Sequence, residues 1–295
     1  MRAPVLETTG LGVRYRRGWA LRDCSLSVPA GRVAALVGPN GAGKTTLMHA
    51  AVGLIAPAEG NVMVRGRAAF VAQDKPLYDT FTVGEMLEFG RRTNVRWDDR
   101  SARARLAGLG VPLDRRVGRL SGGQQAQVAL TIALARRPDL LVLDEPLANL
   151  DPLARHDVMR SIMGEVAEHG LSVLLSSHVI SDLEDTCDWL VVLGGGRLQV
   201  SGDIEELLAE HLVLTGPAEP AAAVLPTART ELSGPPSDEV VRAVRTGRQL
   251  RLLVRGEPVP DPRWNARRPN LEELVMEYLR APAAAVPPGL RGVAR

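Results

Sequence analysis

An apolar run, Arg32 to Val37 (RVAALV), ends in Gly38-Pro39-Asn40-Gly41-Ala42-Gly43-Lys44-Thr45, and few segments of this length restrict a fold so tightly. The run reads as a buried strand. Lys44 to Ile55 reads as a helix stopped by Pro57. Glycines between a strand and a helix let backbone N–H groups turn inward around an anion. The helix then directs its positive end at the same point. This is the P-loop pattern in its required setting. It puts Lys44 on the β- and γ-phosphates of a nucleotide, the Thr45 hydroxyl on Mg²⁺, and Thr46 within reach of the α-phosphate. Lysine occurs elsewhere only at Lys75, and arginine supplies the remaining positive charge. Position 44 therefore departs from the chain's own bias, as a site requiring a compact ammonium rather than a planar guanidinium would.

Strand-like and helix-like segments alternate beyond this point. Asn61 to Arg65, Ala68 to Ala72, Leu140 to Leu143, Leu171 to Leu175 and Trp189 to Leu193 read as strands. Val83 to Arg91, Ser101 to Ala107, Gln125 to Arg136, and about 152 to 168 and 180 to 186 read as helices. The alternation predicts an α/β P-loop NTPase core, a parallel sheet covered by helices on both faces. Leu11, Val13 and Tyr15 alternate in the opening segment and predict an additional antiparallel sheet. Composition shifts after His211, and residues 216 to 238, rich in Pro, Ala and Ser, read as a loose connection. Arg248 to Arg255 is strand-like. Asn270 and Glu273 form a capping box for a helix to Arg280, with Leu271, Leu274, Val275, Tyr278 and Leu279 on one face and Pro282 as the stop. The residues after it, rich in Ala, Pro and Gly, read as disordered.

Two further motifs carry chemistry. Leu140 to Pro146 (LLVLDEP) delivers two carboxylates at the C-terminal end of a buried strand, where open α/β sheets bind ligands. Asp144 is placed to hold Mg²⁺ through water, and Glu145 to orient and polarise an attacking water. Leu120-Ser121-Gly122-Gly123-Gln124 is a second anion nest, opening a helix near Gln125. One nucleotide does not need two nests in one subunit, whereas two subunits facing head to tail would use both.

LSGGQ between a P-loop and an LDEP strand resembles the signature of the ABC transporter ATPases, over roughly residues 5 to 211. The resemblance implies two ATPs sandwiched between two such subunits, each held by the P-loop of one (Gly38 to Thr46) and by Ser121, Gly122, Gly123 and Gln124 of the other. It implies that Gln73, in FVAQD, is the Q-loop glutamine reaching Mg²⁺ and the attacking water. Asp151, in NLD, would be the D-loop aspartate contacting the opposite subunit, and His178, in SSHVI, the switch histidine bonding the γ-phosphate. Tyr15 matches the aromatic that stacks on adenine, with Trp19 as the competing residue. Two positions depart from the pattern: the family often has a basic residue where this chain has Gln127, and an arginine is common where it has Ile132. Altered local salt bridges follow, not lost catalysis. The implied division is an ATPase domain over 1 to 211, with a helical subdomain over about 74 to 136, and a small C-terminal α+β extension over 212 to 295.

A net charge of +2 argues against bulk nucleic-acid binding. No apolar run reaches the roughly 18 residues of a membrane helix, so a membrane role requires an integral permease on a separate chain. Cys24 and Cys187 have no motif spacing and read as reduced, part-buried thiols. The resemblance thus implies a cytoplasmic subunit, peripheral on the inner face of the membrane, paired with itself or a paralogue. The tail PNLEELVMEYLR is similar to exporter-type cassettes. The alternative is a soluble ABC-type ATPase of a ribosome or DNA machine; these usually carry paired cassettes or a long coiled-coil insertion, and neither occurs here. Tyr78, Phe81, Phe89 and Trp97 cluster just after Gln73. Most of this set is expected in the core of the helical subdomain, with Leu77, Tyr78 or Phe81 lining the groove where the family docks a permease helix.

Overall fold

Six strands form the sheet that carries the site: β3 (Val33–Val37), β5 (Ala68–Val71), β6 (Leu140–Leu143), β7 (Ser172–Ser177), β8 (Trp189–Gly194) and β9 (Arg197–Asp203). Their order is β5-β6-β7-β3-β8-β9, parallel except for β9. The computed structural model describes residues 3–16, 18–180, 183, 184, 186–218, 239–256 and 262–281. β3, β6 and β7 are buried at every position, as strands covered on both faces must be. Alternate residues feed two cores. Val33, Ala35, Val37, Leu141, Leu143, Val173 and Leu175 face one cluster with α4 (Gly122–Ala135) and α5 (Pro152–His169). Ala34, Leu36, Leu140, Val142 and Leu174 face the other, with Leu47 and Met48 of α1 (Lys44–Ala51).

The antiparallel sheet expected at the start is present: β2 (Gly18–Pro29), β1 (Pro4–Tyr15) and β4 (Glu59–Val64), in that order. It packs Leu6, Leu11, Val13 and Leu21 onto the α1 face. α1 ends at Ala51 rather than Ile55, because Gly53 adopts a left-handed φ of 77°, and its N–H and that of Leu54 bond back to Ala50 and His49.

α2 (Val83–Thr93), α3 (Asp99–Gly108) and α4 enclose a separate core of Val83, Met86, Leu87, Ala102, Leu106, Val117 and Val128. α4 belongs to both units. Its Ala126, Leu130 and Ala133 face the main core, and its Val128 and Ala135 the helical one. Among the aromatics after Gln73, Phe81 and Trp97 pack partly against this core, whereas Tyr78 and Phe89 are exposed.

Beyond α6 (Ile204–Glu210), β10 (His211–Pro217), β11 (Glu239–Thr246), β12 (Gln249–Arg255) and β13 (Asn265–Arg267) form a four-stranded antiparallel sheet, order β11-β12-β10-β13. The loose connection expected from 216 thus begins inside a strand, and residues 219–238 lie outside the described set, as does the tail from 282. The helix expected over 180 to 186 falls partly outside it too, and Leu183, Glu184 and Thr186 lie in turns. α7 (Leu271–Arg280) has the expected capping box, Asn270 with Glu273, a cap of about 1 kcal/mol. It sinks Leu271, Leu274, Val275 and Tyr278 into the main core, at about 1.5–3 kcal/mol for each fully buried apolar side chain. The extension is therefore packed onto the ATPase core.

Candidate functional site

Because β5, β6, β7 and β3 run parallel, the segments following them emerge at one edge of the sheet. The P-loop leaves β3 there. Gly38 is required by close approach: a Cβ on it would sit 2.3 Å from the Leu193 carbonyl oxygen of the neighbouring strand. Gly43 has φ 102°, and a Cβ there would meet Ala20 and Leu21 of β2, so the hairpin of β1 and β2 abuts the loop. Gly41 is also left-handed, at φ 81°, and Ala42 donates its N–H back to Pro39. The buried Lys44 ammonium lies in the mouth of the loop, donating to the carbonyls of Gly38 at 2.7 Å and Pro39 at 3.4 Å. Pro39, Asn40 and Thr46 complete the turn and the first turn of α1.

A continuous chain of bonds crosses the strand ends. The Thr45 hydroxyl donates to Asp144 Oδ2 at 2.7 Å. Ser176 Oγ, on β7, donates to Asp144 Oδ1 at 2.7 Å and accepts the N–H of Glu145 at 2.7 Å. Glu145 Oε2 lies 2.8 Å from His178 Nδ1. Asp144 is buried; Glu145 is largely covered, and His178 is 62% exposed, open to a ligand. Glu145 has φ 47°, a left-handed backbone that is uncommon for a residue with a side chain and collects at functional sites. The bend separates the two carboxylates, one toward Thr45 and one toward His178.

Ser176 was not singled out by sequence reasoning. Its only signal is a serine two residues ahead of His178, in a strand (SVLLSS) that carries two other serines. Gln73 lies on the turn after β5, at the same edge, with an exposed side chain that stands apart from this bonded chain. Tyr15 ends β1 and is 48% exposed, while Trp19, paired with Arg14 across the hairpin, has the guanidinium groups of Arg14 and Arg22 within 5.9 Å of its ring.

Ser121 is the N-cap of α4 and exchanges capping-box bonds with Gln124. The helix starts at Gly122, not near Gln125, so both signature glycines sit in its first turn. A Cβ on Gly123 would come 2.9 Å from Ala154 Cβ of α5, so the small residue lets α4 lie against α5. Asp151 caps α5, accepting from Ala154 N–H at 3.0 Å. Gln127 is buried with neither amide atom bonded, and Ile132 packs partly against the helical core. Cys24 and Cys187 are both buried and unbridged, and burial pushes the Cys187 thiol up to about 12.

The donor set fits a hydrated Mg²⁺. One hydroxyl and one carboxylate already in contact are what this ion uses beside phosphate and water oxygens. No denser acidic cluster occurs among the described residues.

Fold and site together define a P-loop ATP-binding protein. The family model for the ABC transporter matches residues 21–148. The Nod factor export ATP-binding protein I of Rhizobium johnstonii is 33% identical, covering 87% of this chain and 92% of its own length. The Fe(3+) ions import ATP-binding protein FbpC of Yersinia pestis is 33% identical over 68% of this chain and 63% of its own. The solved structure of cbiO1 from Clostridium perfringens, part of the ABC transporter complex cbiONQ, superposes with a TM-score of 0.62 at 26% identity, over 71% of this chain and 92% of that one. The chain belongs to the ABC transporter ATP-binding proteins, a family that hydrolyses ATP.

Proposed function

We propose that this subunit drives export through a permease on a separate chain, and that two cassettes pair head to tail around two ATPs. The observation that carries the hydrolytic reading is the bonded chain Thr45–Asp144–Ser176–Glu145–His178. In this reading Gly38 to Gly43 wrap the phosphates with backbone N–H groups, and Lys44 moves from the loop carbonyls to the β- and γ-phosphates. Thr46 bonds the α-phosphate, and Tyr15 stacks on adenine. Trp19 is already flanked by Arg14 and Arg22, which favours Tyr15 as the free face. Thr45, Asp144 and Gln73 would hold Mg²⁺, which when bound offsets phosphate charge. Glu145 takes the proton of the attacking water, and His178, held by that carboxylate, donates to the γ-phosphate. Ser121 to Gln124 and Asp151 act on the partner's nucleotide.

Support for export comes from the relative whose match spans 87% of this chain, more than the first 211 residues can supply. The extension therefore takes part in that likeness. No helix among the described residues is long and apolar enough to cross a membrane, in keeping with a peripheral subunit on the cytoplasmic face. The proposed division places the ATPase domain at 1 to 211, with the helical subdomain at about 74 to 136, and the extension at 212 to 295.

The test is Lys44→Ala in purified protein. Charge-assisted hydrogen bonds are worth about 1.5–3 kcal/mol, so ATP binding should weaken about tenfold or more. Phosphate release should fall further, because positioning dominates phosphoryl transfer. Near-wild-type turnover would overturn the assignment.

A further inference from the structure

The helical unit bearing the signature meets α5 through the α4 face of Ala126, Leu130 and Ala133, which shares the main core with Val158, Met159 and Ile162, and through two further contacts. At one end Gly123 of α4 lies against Ala154 in the first turn of α5. Toward the other end Arg105 of α3 reaches Glu165 of α5, Nη1 to Oε1 at 3.3 Å, with the side chains only 16% and 22% exposed. His169 holds the same carboxylate from the far side, at 3.1 Å from Oε2.

This second contact is an odd choice for simple packing. Arg105 Nε and Nη2 are buried with no partner, and one stretch away along α4 the Gln127 amide is equally unpaired. The space beside Arg105, bounded by Ser101, Thr131 and Arg137, is only about 10 Å³, close to the lower limit for a single water. It admits nothing larger than a water beside those nitrogens. An apolar side chain would fill such a seam without stranding polar atoms. What the guanidinium adds is a directed bond to one carboxylate, hence a defined angle between the two units.

We propose that Arg105 and Glu165 form a strut fixing where α4, and so the Ser121–Gln124 nest, stands relative to the phosphate loop of the same chain. Arg105 is then a positioning residue for the partner's nucleotide. With the strut gone, α4 stays anchored through Ala126, Leu130 and Ala133, but α3 and the signature end lose their fixed angle to α5, and the nest no longer meets the partner squarely. The inference rests on the head-to-tail pairing proposed above.

The test uses the full chain carrying Glu145→Gln, with Arg105→Met or Arg105→Lys added. Spin labels on Arg119→Cys and Glu168→Cys, both exposed positions, report the separation of the signature end from α5 in the monomer. The buried Cys24 and Cys187 do not compete for label. The parent and the lysine variant should give one narrow distance distribution, and the methionine variant a broad one. ATP-driven dimerisation of the methionine variant should need about tenfold more protein, with monomeric ATP affinity within about twofold of the parent, in the range of an ordinary coupling between sites. Lysine should restore most of the loss. A folded Arg105→Met chain with an unchanged distribution, or a broadened one that dimerises normally, overturns the strut. Should Arg105→Met fail to fold, Glu165→Gln, which keeps the volume but drops the charge, is held to the same outcomes. A parent that stays monomeric in Mg-ATP would refute the pairing, and the distance measurement alone then decides the strut.

Discussion

His178 Nδ1 lies 2.8 Å from Glu145 Oε2, across the ends of two adjacent strands. Asp144, one residue earlier, faces Thr45 instead. In the proposed mechanism the two carboxylates take separate tasks, Asp144 toward Mg²⁺ and Glu145 toward the attacking water. Glu145→Gln keeps the shape but not the basicity. ATP binding should survive while phosphate release slows about a hundredfold or more, the range for losing a general base. Uncleaved ATP should hold the protein as a dimer on size exclusion with Mg-ATP, and adding Ser121→Arg should return it to monomer. Wild-type turnover in Glu145→Gln would place the base elsewhere.

Ser176 joins the two carboxylates, accepting the Glu145 N–H and donating to Asp144. Ser176→Ala leaves that N–H without its partner, at about 1–3 kcal/mol. Turnover should drop together with a fall in Tm of several degrees, read by phosphate release and calorimetry. If both stay at wild-type values, the serine is not what aims Glu145.

Tyr78, Phe81 and Phe89 pack ring on ring, with Tyr78 centroids 5.1 Å and 5.5 Å from the other two, and Tyr78 is 53% exposed. Tyr78→Asp should abolish co-purification with the cognate permease while basal ATPase stays near normal. Unchanged assembly would remove this surface from the docking proposal.

His211 is fully buried between the Leu207 carbonyl, 2.6 Å from Nδ1, and the Tyr278 hydroxyl, 2.9 Å from Nε2. A carbonyl only accepts, so Nδ1 carries the proton and Nε2 accepts from Tyr278. Burial lowers the pKa of the ring from its ordinary 6.5. Below that value the unfolded chain binds a proton that the folded one resists, so the stability from this site is complete above 6.5 and is lost as pH falls. Comparing Tm at about pH 7.5 and about pH 5.5, His211→Gln should show a smaller acid-induced drop than the parent. An equal drop would assign the acid sensitivity to other groups.

The parts of the molecule legible in the sequence are those where local pattern and long-range role coincide. Gly38 and Gly43 announce a turn that only glycine can make, and LLVL announces a strand covered on both faces. Asn270 and Glu273 announce a helix start that the structure retains. β10 was hidden because Gly216 and Pro217 inside it look like linker residues, and its strand character comes from antiparallel pairing with β12 over its whole length and with β13 at its middle. The α4 start was hidden because Gly122 and Gly123 are poor helix formers; the small size of Gly123 against α5 outweighs its propensity. Ser176 was invisible for a similar reason: its role exists only once β6 and β7 are side by side.

The left-handed backbone at Glu145 sets heat resistance and turnover against each other at one residue. A side chain there sits in a left-handed conformation that costs about 1–3 kcal/mol, and in the proposed mechanism the bend aims the carboxylate. Any selection for survival at high temperature alone would reward relaxing that bend, and would enrich for cassettes that bind ATP, fold well and never fire.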